Sequence, residues 1–222
     1  MRAPIIVVNL KTYPEVCGRR GMELARLCAS AADRAGKEVA IAPQQCDLAL
    51  IAGEVSIPVL AQHVDCVSQG ATTGYVTPEA VREAGCAGTL LNHSEHRLRG
   101  DEIKLLVGRC MSIGLETIVC TSTVGMTRAK AHFEPDFIAI EPPDLIGGDI
   151  SVTSAQPEVV AGAVDAVRRI SPNVQVLCGA GVKTPEDVAK AMELGARGVL
   201  LASGIVSAKD PMALLTKMLD AL

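Results

Sequence analysis

Leu90-Leu91-Asn92-His93-Ser94-Glu95-His96-Arg97 starts as a buried strand and ends in reactive side chains. The apolar run ends abruptly, and an imidazole, a hydroxyl and a carboxylate follow within three residues. In a barrel of parallel strands, catalytic groups gather at the carboxyl ends of the strands, and a switch of this kind marks such an end. Two further runs finish in the same way. Ile5-Ile6-Val7-Val8 leads into Asn9-Leu10-Lys11, and Phe137-Ile138-Ala139-Ile140 leads into Glu141-Pro142-Pro143.

Outward from these three stretches, aliphatic runs alternate with amphipathic or alanine-rich segments along the whole chain. The spacing predicts strands over 5–10, 39–42, 59–62, 88–91, 117–120, 137–140, 175–178 and 198–201. Helices are expected over 23–35, 78–83, 101–112, 157–170, 185–194 and 211–222, with the links after the second and fifth strands left open. Thr77-Pro78-Glu79 and Thr184-Pro185-Glu186 each supply a hydroxyl N-cap, a first-turn proline and an acid near the positive helix end. Gly85, Gly114 and Gly195 stand where helices should stop. The two Thr-Pro-Glu starts lead to Gly88-Thr89-Leu90-Leu91 and Gly198-Val199-Leu200-Leu201, an echo four units apart, as a barrel of two halves would place it. Eight alternations predict an α/β chain folded as a (β/α)8 barrel, one domain over residues 1–222. A doubly wound open sheet is the competing architecture, because local pattern does not encode closure.

Hydrophobic residues make up 49% of the chain, yet it has only two Tyr, two Phe and no Trp, so Ala, Val, Leu and Ile must fill the core. That suits a parallel sheet buried on both faces. A net charge of −4 argues against a nucleic-acid partner, which would call for a basic face. No signal-peptide pattern follows Met1 and no apolar stretch nears the roughly 20 residues of a membrane span, so a cytoplasmic protein without membrane contact is expected. None of the eight cysteines forms a CxxC pair and several lie in apolar runs, so they are expected to pack as free thiols.

Lysine near the end of a buried strand is costly unless it meets a carboxylate, a phosphate or water. Alternation places Asn9 and Lys11 on one side of their strand, suited to a small anionic substrate. Ser94 and Glu95 are expected to open a short helical turn, and beside its positive end a neutral His93 donates a hydrogen bond to a carbonyl. Glu141, fixed by the two prolines after it, is placed to take a proton from carbon beside a carbonyl. The following Asp144-Leu145-Ile146-Gly147-Gly148-Asp149 has the composition of a lid, rigid where it leaves the strand and flexible where it returns. Gly179-Ala180-Gly181 and Ala202-Ser203-Gly204, after the last two strands, expose backbone N–H groups where such barrels hold phosphate.

Taken together, Asn9-Leu10-Lys11, Asn92-His93-Ser94-Glu95 and Glu141-Pro142-Pro143 resemble the triosephosphate isomerase family, and the compact length resembles its archaeal branch. The likeness runs over essentially the whole chain. It implies a TIM barrel that interconverts dihydroxyacetone phosphate and D-glyceraldehyde 3-phosphate, in glycolysis and gluconeogenesis, with no cofactor and no metal. It further implies Glu141 as the base, His93 as the group that polarises the carbonyl, and Lys11 as the cation that offsets growing negative charge. Asn9 would position substrate, Glu95 would support the site, and phosphate would meet the backbone at Ile146, Gly147, Gly181, Ala202 and Ser203. Relatives form dimers and compact archaeal ones tetramers, so a homo-oligomer is expected, the tetramer ahead of the dimer. The chain departs from the family where the lid's tryptophan is replaced by Pro143-Asp144-Leu145, and where Ala180-Gly181 stands for the glycine and serine of many relatives.

Three rival readings use the same residues. An aldolase-like barrel would form a Schiff base on Lys11, and a metal hydrolase would draw on His63, His93, His96 and Glu141. A binding barrel without turnover would need no base at all.

Overall fold

The computed structural model describes residues 1–146, 148 and 151–222. β1 (Ile5–Asn9) and α1 (Arg19–Ala35) are followed by β2 (Glu38–Ala42), α2 (Leu48–Ala52), β3 (Leu60–Ala61) and α3 (Pro78–Glu83). Next come β4 (Gly88–Leu91), α4 (Gly100–Ser112), β5 (Glu116–Thr121), α5 (Val124–Ala131) and β6 (Phe137–Ile140). The chain closes with α6 (Val152–Ala155), α7 (Pro157–Ile170), β7 (Gln175–Gly179), α8 (Pro185–Glu193), β8 (Gly198–Leu201), α9 (Ser203–Val206) and α10 (Pro211–Asp220).

The strands pair in parallel in the order β2-β1-β8-β7-β6-β5-β4-β3. A bridge between Ile41 and Val59 brings the two end strands together, so the sheet is a nearly closed barrel and not an open doubly wound sheet. The seam is thin for a physical reason. Pro58 has no N–H to give, so it only accepts, from Ile41 N–H at 3.0 Å, and regular pairing in β3 begins after it. This shortens the strand expected over 59–62 to Leu60–Ala61.

Period two sorts the side chains of each strand into two layers. Ile5 and Val7 of β1, Leu90 of β4, Ile118 and Cys120 of β5, Phe137 and Ala139 of β6, Leu177 of β7 and Leu200 of β8 fill the barrel. Their neighbours Ile6, Val8, Leu91, Val119 and Val199 point outward into the layer shared with the helices. Burying each large aliphatic side chain contributes about 1.5–3 kcal/mol, and both layers draw on it. α1 joins that layer through Met22, Ala25, Cys28 and Ala32, spaced three and four apart, and Gly36 ends it in the left-handed region. β8 reaches β1 only because residue 198 lacks a side chain: at φ +142, a Cβ on Gly198 would lie 2.0 Å from the Ile5 carbonyl oxygen.

α2 and α5 occupy the two links that sequence pattern left open. α5 buries only Thr127 and Ala131, so it carries no apolar stripe to read. Thr77 and Thr184 cap α3 and α8 by accepting from Ala80 N–H and Asp187 N–H. Among the described residues no helix is long and apolar enough to cross a membrane.

Cys28, Cys86, Cys110, Cys120 and Cys178 are buried, whereas Cys17 and Cys46 are exposed and depart from the packed reading. Burial pushes the Cys86 thiol to about 11 and those of Cys28 and Cys110 to about 12, so these stay protonated at neutral pH. A small alkylating reagent at pH 8 is therefore expected to modify Cys17 and Cys46 first. Rapid labelling of Cys28 or Cys110 in the folded protein, read by peptide mass spectrometry, would contradict the buried placement.

Candidate active site

The carboxyl ends of β1, β4, β6, β7 and β8 meet in a cleft of about 480 Å³ open volume. Inward parity carries residues from the barrel into it. Ile5 and Val7 are followed by Asn9, and Phe137 and Ala139 by Glu141; both polar groups sit at the strand mouths, 4% and 5% exposed. Asn9, Lys11, His93 and Glu141 line the cleft together with Ile146, Gly181, Ala202 and Ser203. Gly147 lies outside the described residues.

Lys11 arrives by a different route from the one alternation suggests. β1 stops at Asn9, and Lys11 adopts φ 47, held there because its N–H donates to Asn9 Oδ1 at 2.9 Å. Its carbonyl accepts from Gln62 Nε2 at 2.9 Å, and the same amide reaches the Ala42 carbonyl at 3.0 Å. Nζ donates to Glu95 Oε1 at 2.6 Å, so the ammonium is steered by a carboxylate that is itself 57% exposed. Glu95 thus stands behind Lys11, bordering a neighbouring cavity.

His93 is 6% exposed, and no helix begins beside it. Residues 93–96 form a single turn, closed by His96 N–H donating to the His93 carbonyl at 2.9 Å. Within this turn, one backbone donor faces the ring: Glu95 N–H gives its hydrogen to His93 Nδ1 at 3.2 Å. A ring nitrogen that accepts carries no proton, so the imidazole hydrogen sits on Nε2 and points into the cleft. The 3.7 Å approach of Glu95 Oε2 to the same Nδ1 is therefore a contact and not an ion pair. His93 Nε2 stands 3.8 Å from Glu141 Oε1, too far for a hydrogen bond between them.

Glu141 N–H donates to the Thr121 carbonyl at 2.7 Å, which continues the β5–β6 ladder one residue past the strand. Its Oε2 is buried and accepts no hydrogen bond of proper geometry among the described residues. The thiol of Cys120, inward on β5, is pushed well up by burial first and by the facing Glu141 carboxylate second. Gly179 completes the surroundings. Ile140 is level with Cys178 in the β6–β7 register, so Gly179 falls opposite Glu141, and a Cβ there would lie 2.5 Å from Glu141 Cγ.

The far wall is backbone. Ala180 and Gly181 have φ 75 and 72, a pair of left-handed residues that turns the chain across the cleft. The N–H groups of Gly181, Ser203 and Gly204 have no acceptor among the described residues. Gly181 and Ser203 line the cleft from two loops, and free backbone N–H groups at such a place suit an anion. Three of the four described non-glycine residues with positive φ, Lys11, Asn92 and Ala180, stand at this end of the barrel, where strain marks working sites.

Gln62 was not singled out by sequence, and Asn92 and Gly179 were named only within the His93 motif and the loop after the seventh strand, without roles of their own. Asn92 Nδ2 donates to the Cys120 carbonyl at 2.9 Å and its Oδ1 accepts from Leu98 N–H at 3.0 Å, tying the His93 turn to β5. A polar residue directly after an aliphatic run, as in Leu60-Ala61-Gln62 and Leu90-Leu91-Asn92, is the signal that would have found the first two.

His63, His96 and His93 all border the cavity beside Lys11. The His63 and His96 rings stack face to face, with centroids 3.6 Å apart and planes 14° from parallel. Burial first, and the neighbouring His96 second, lower the His63 imidazole. Among the described residues no group of three or more His, Cys, Asp or Glu is arranged to hold a metal ion.

Comparison with known proteins gives one family. The family model described as triosephosphate isomerase matches residues 4–219. The chain is 49% identical over 208 residues to a triosephosphate isomerase of Methanothermobacter thermautotrophicus, covering 94% of this chain and 91% of that one. It is 48% identical over 206 residues to that of Methanocaldococcus jannaschii, covering 93% and 94%. Against that of Methanosarcina barkeri it is 48% identical over 219 residues, covering 99% of each.

Proposed function

Because the chain belongs to the triosephosphate isomerase family, we propose that it interconverts dihydroxyacetone phosphate and D-glyceraldehyde 3-phosphate by moving one proton between adjacent carbons. The observation that carries this reading is the meeting of Lys11, His93 and Glu141 in one cleft whose opposite wall offers N–H groups to an anion. Glu141 takes the proton from the carbon beside the carbonyl. His93, with its hydrogen on Nε2, donates to the carbonyl oxygen as negative charge develops there, and later exchanges protons between the two oxygens. Lys11, held by Glu95, brings positive charge to the same oxygens, and Asn9 fixes the loop that presents it.

Phosphate is assigned to the backbone of Gly181, Ala202 and Ser203, with Ile146 and Gly147 of the proposed lid meeting it from the other side. A lid serves this chemistry because an enediolate phosphate exposed to water loses its phosphate by elimination. The aldolase reading is disfavoured because Lys11 Nζ is ion-paired at 2.6 Å, whereas attack on a carbonyl requires a free amine. We further assign the protein to the cytoplasm, to glycolysis and gluconeogenesis, and to a homo-oligomer, a tetramer ahead of a dimer. Leu105 and Met111 on α4, 64% and 60% exposed, are apolar surface of the kind that contacts between copies cover.

The experiment is isomerisation of D-glyceraldehyde 3-phosphate, coupled to reduction of the ketone product, on a preparation sized by light scattering. Turnover that survives a chelator, from a particle of several chains, is the expected result. A folded protein with no turnover overturns the assignment, and a monomer overturns the oligomer.

A further inference from the structure

Two of the three reacting groups depend on one short turn. Within residues 93–96, Glu95 N–H fixes the His93 ring at Nδ1, and the Glu95 carboxylate holds Lys11 Nζ. One side of the turn is anchored by Asn92, whose Nδ2 donates to the Cys120 carbonyl and ties it to β5. The other end is His96, exposed to solvent, which closes the turn by donating its N–H to the His93 carbonyl. What meets the His96 side chain is the ring of His63, stacked on it with centroids 3.6 Å apart.

His63 is a fixed platform. It is 8% exposed, and its carbonyl accepts from Gln45 Nε2 at 2.6 Å. Its Nε2 lies 3.4 Å from Asp65 Oδ1, while Asp65 Oδ2 accepts from Val76 N–H at 2.7 Å and so pins the loop that carries the ring. The charged groups around the pair come from four directions. Asp65 stands on the loop of His63, Lys11 and Glu95 border the same cavity as the neutral His93, and Glu102 acts from α4. Arg97, next to His96 in the chain, turns its guanidinium to the Asn92 carbonyl. Asp65 and Glu102 favour a proton on His63, but burial and the facing His96 outweigh them. A proton on each ring would set like charges face to face.

We propose that His63 and His96 are a positioning pair for the reaction: stacked, they clamp the turn that orients His93 and Lys11, and protonation of the pair releases it. The inference rests on the isomerase assignment and extends it to residues that touch neither substrate nor the reacting atoms. Its direction with pH follows from charge. Neutral rings stack, so the clamp is complete above the ordinary imidazole value of about 6.5 and is lost as pH falls below it.

The test compares turnover of wild type, His96→Phe and His96→Ala from pH 8 down to pH 5. Phenylalanine keeps a stacking face and takes no proton, whereas alanine offers neither. At pH 8, His96→Ala should turn over about three- to tenfold more slowly with KM little changed, as expected when reacting groups are displaced. His96→Phe should recover most of that loss. Towards pH 5 the wild type should lose about three- to tenfold more turnover than His96→Phe, each measured against its own value at pH 8. Groups common to all three proteins, the substrate phosphate among them, cancel in that comparison. Parallel acid limbs in wild type and His96→Phe would overturn the inference. Native turnover in His96→Ala at pH 8, or a loss there that phenylalanine does not rescue, would also overturn it. Wild type without turnover defeats the isomerase assignment instead. Proton NMR of the imidazole C2–H signals then still tests the pair: His63 should take its proton at higher pH in His96→Phe, and an unchanged His63 titration counts against the stack.

Discussion

Glu141→Gln is expected to lose about a thousandfold in turnover, the typical worth of a positioned general base, with KM little changed. Glutamine keeps the length and shape of the side chain and removes only the basic oxygen. The barrel should be indifferent to the change or gain from it. Glu141 is 5% exposed and its Oε2 accepts no hydrogen bond of proper geometry, so the native protein holds a buried carboxylate that its surroundings do not satisfy. A buried polar oxygen without a donor opposes folding, so replacing the carboxylate should leave Tm unchanged or raise it. Thermal unfolding and coupled kinetics on one preparation read both effects. Glu141→Asp keeps the charge but retreats from the reacting carbon, and should also lose most of its turnover. A Glu141→Gln protein that turns over at the native rate removes Glu141 from the role of base. A variant that fails to fold removes the stability argument.

Gly179→Ala should cost about a hundredfold in turnover, the scale expected when a reacting group is displaced by about an ångström. The added methyl has nowhere to go. It would stand 2.5 Å from Glu141 Cγ and 2.9 Å from Oε1, so the carboxylate must swing away from its place opposite His93. The backbone itself objects little, since Gly179 is not among the residues with positive φ and β7 runs through it. Circular dichroism and Tm should therefore stay near native while activity falls. The decisive control is the double variant. If both changes act through one carboxylate, Glu141→Gln adds little to Gly179→Ala, far less than the product of the two separate losses. Multiplicative losses, or a Gly179→Ala protein with native turnover, would show that Glu141 finds another way to its position.

The barrel was legible because its strands are short aliphatic runs with polar ends, and because Thr77-Pro78 and Thr184-Pro185 mark helix starts by local chemistry. The strands over 88–91, 137–140 and 198–201 appear at the expected bounds for that reason. α2 and α5 were not legible, since one is five residues long and the other buries only two side chains. The short turn expected at Ser94 and Glu95 is present, closed by His96 N–H on the His93 carbonyl, but it does not run on into a helix. Leu98 N–H donates to Asn92 Oδ1 before α4 begins.

Sequence by itself determined which residues face the barrel axis, because the side chains of a strand alternate and the count from Ile5 to Asn9, or from Phe137 to Glu141, is fixed by the chain. It also showed which strand ends carry polar, ionisable side chains. Only the tertiary structure decided which of those ends stand level with one another. The β6–β7 register sets Gly179 opposite Glu141, the left-handed backbone at Lys11 turns its side chain to Glu95 across 84 positions of sequence, and close approach at Gly204 brings the loops after β7 and β8 together. Register and closure are sums over many weak pairings between distant strands, so no single stretch of the chain contains them.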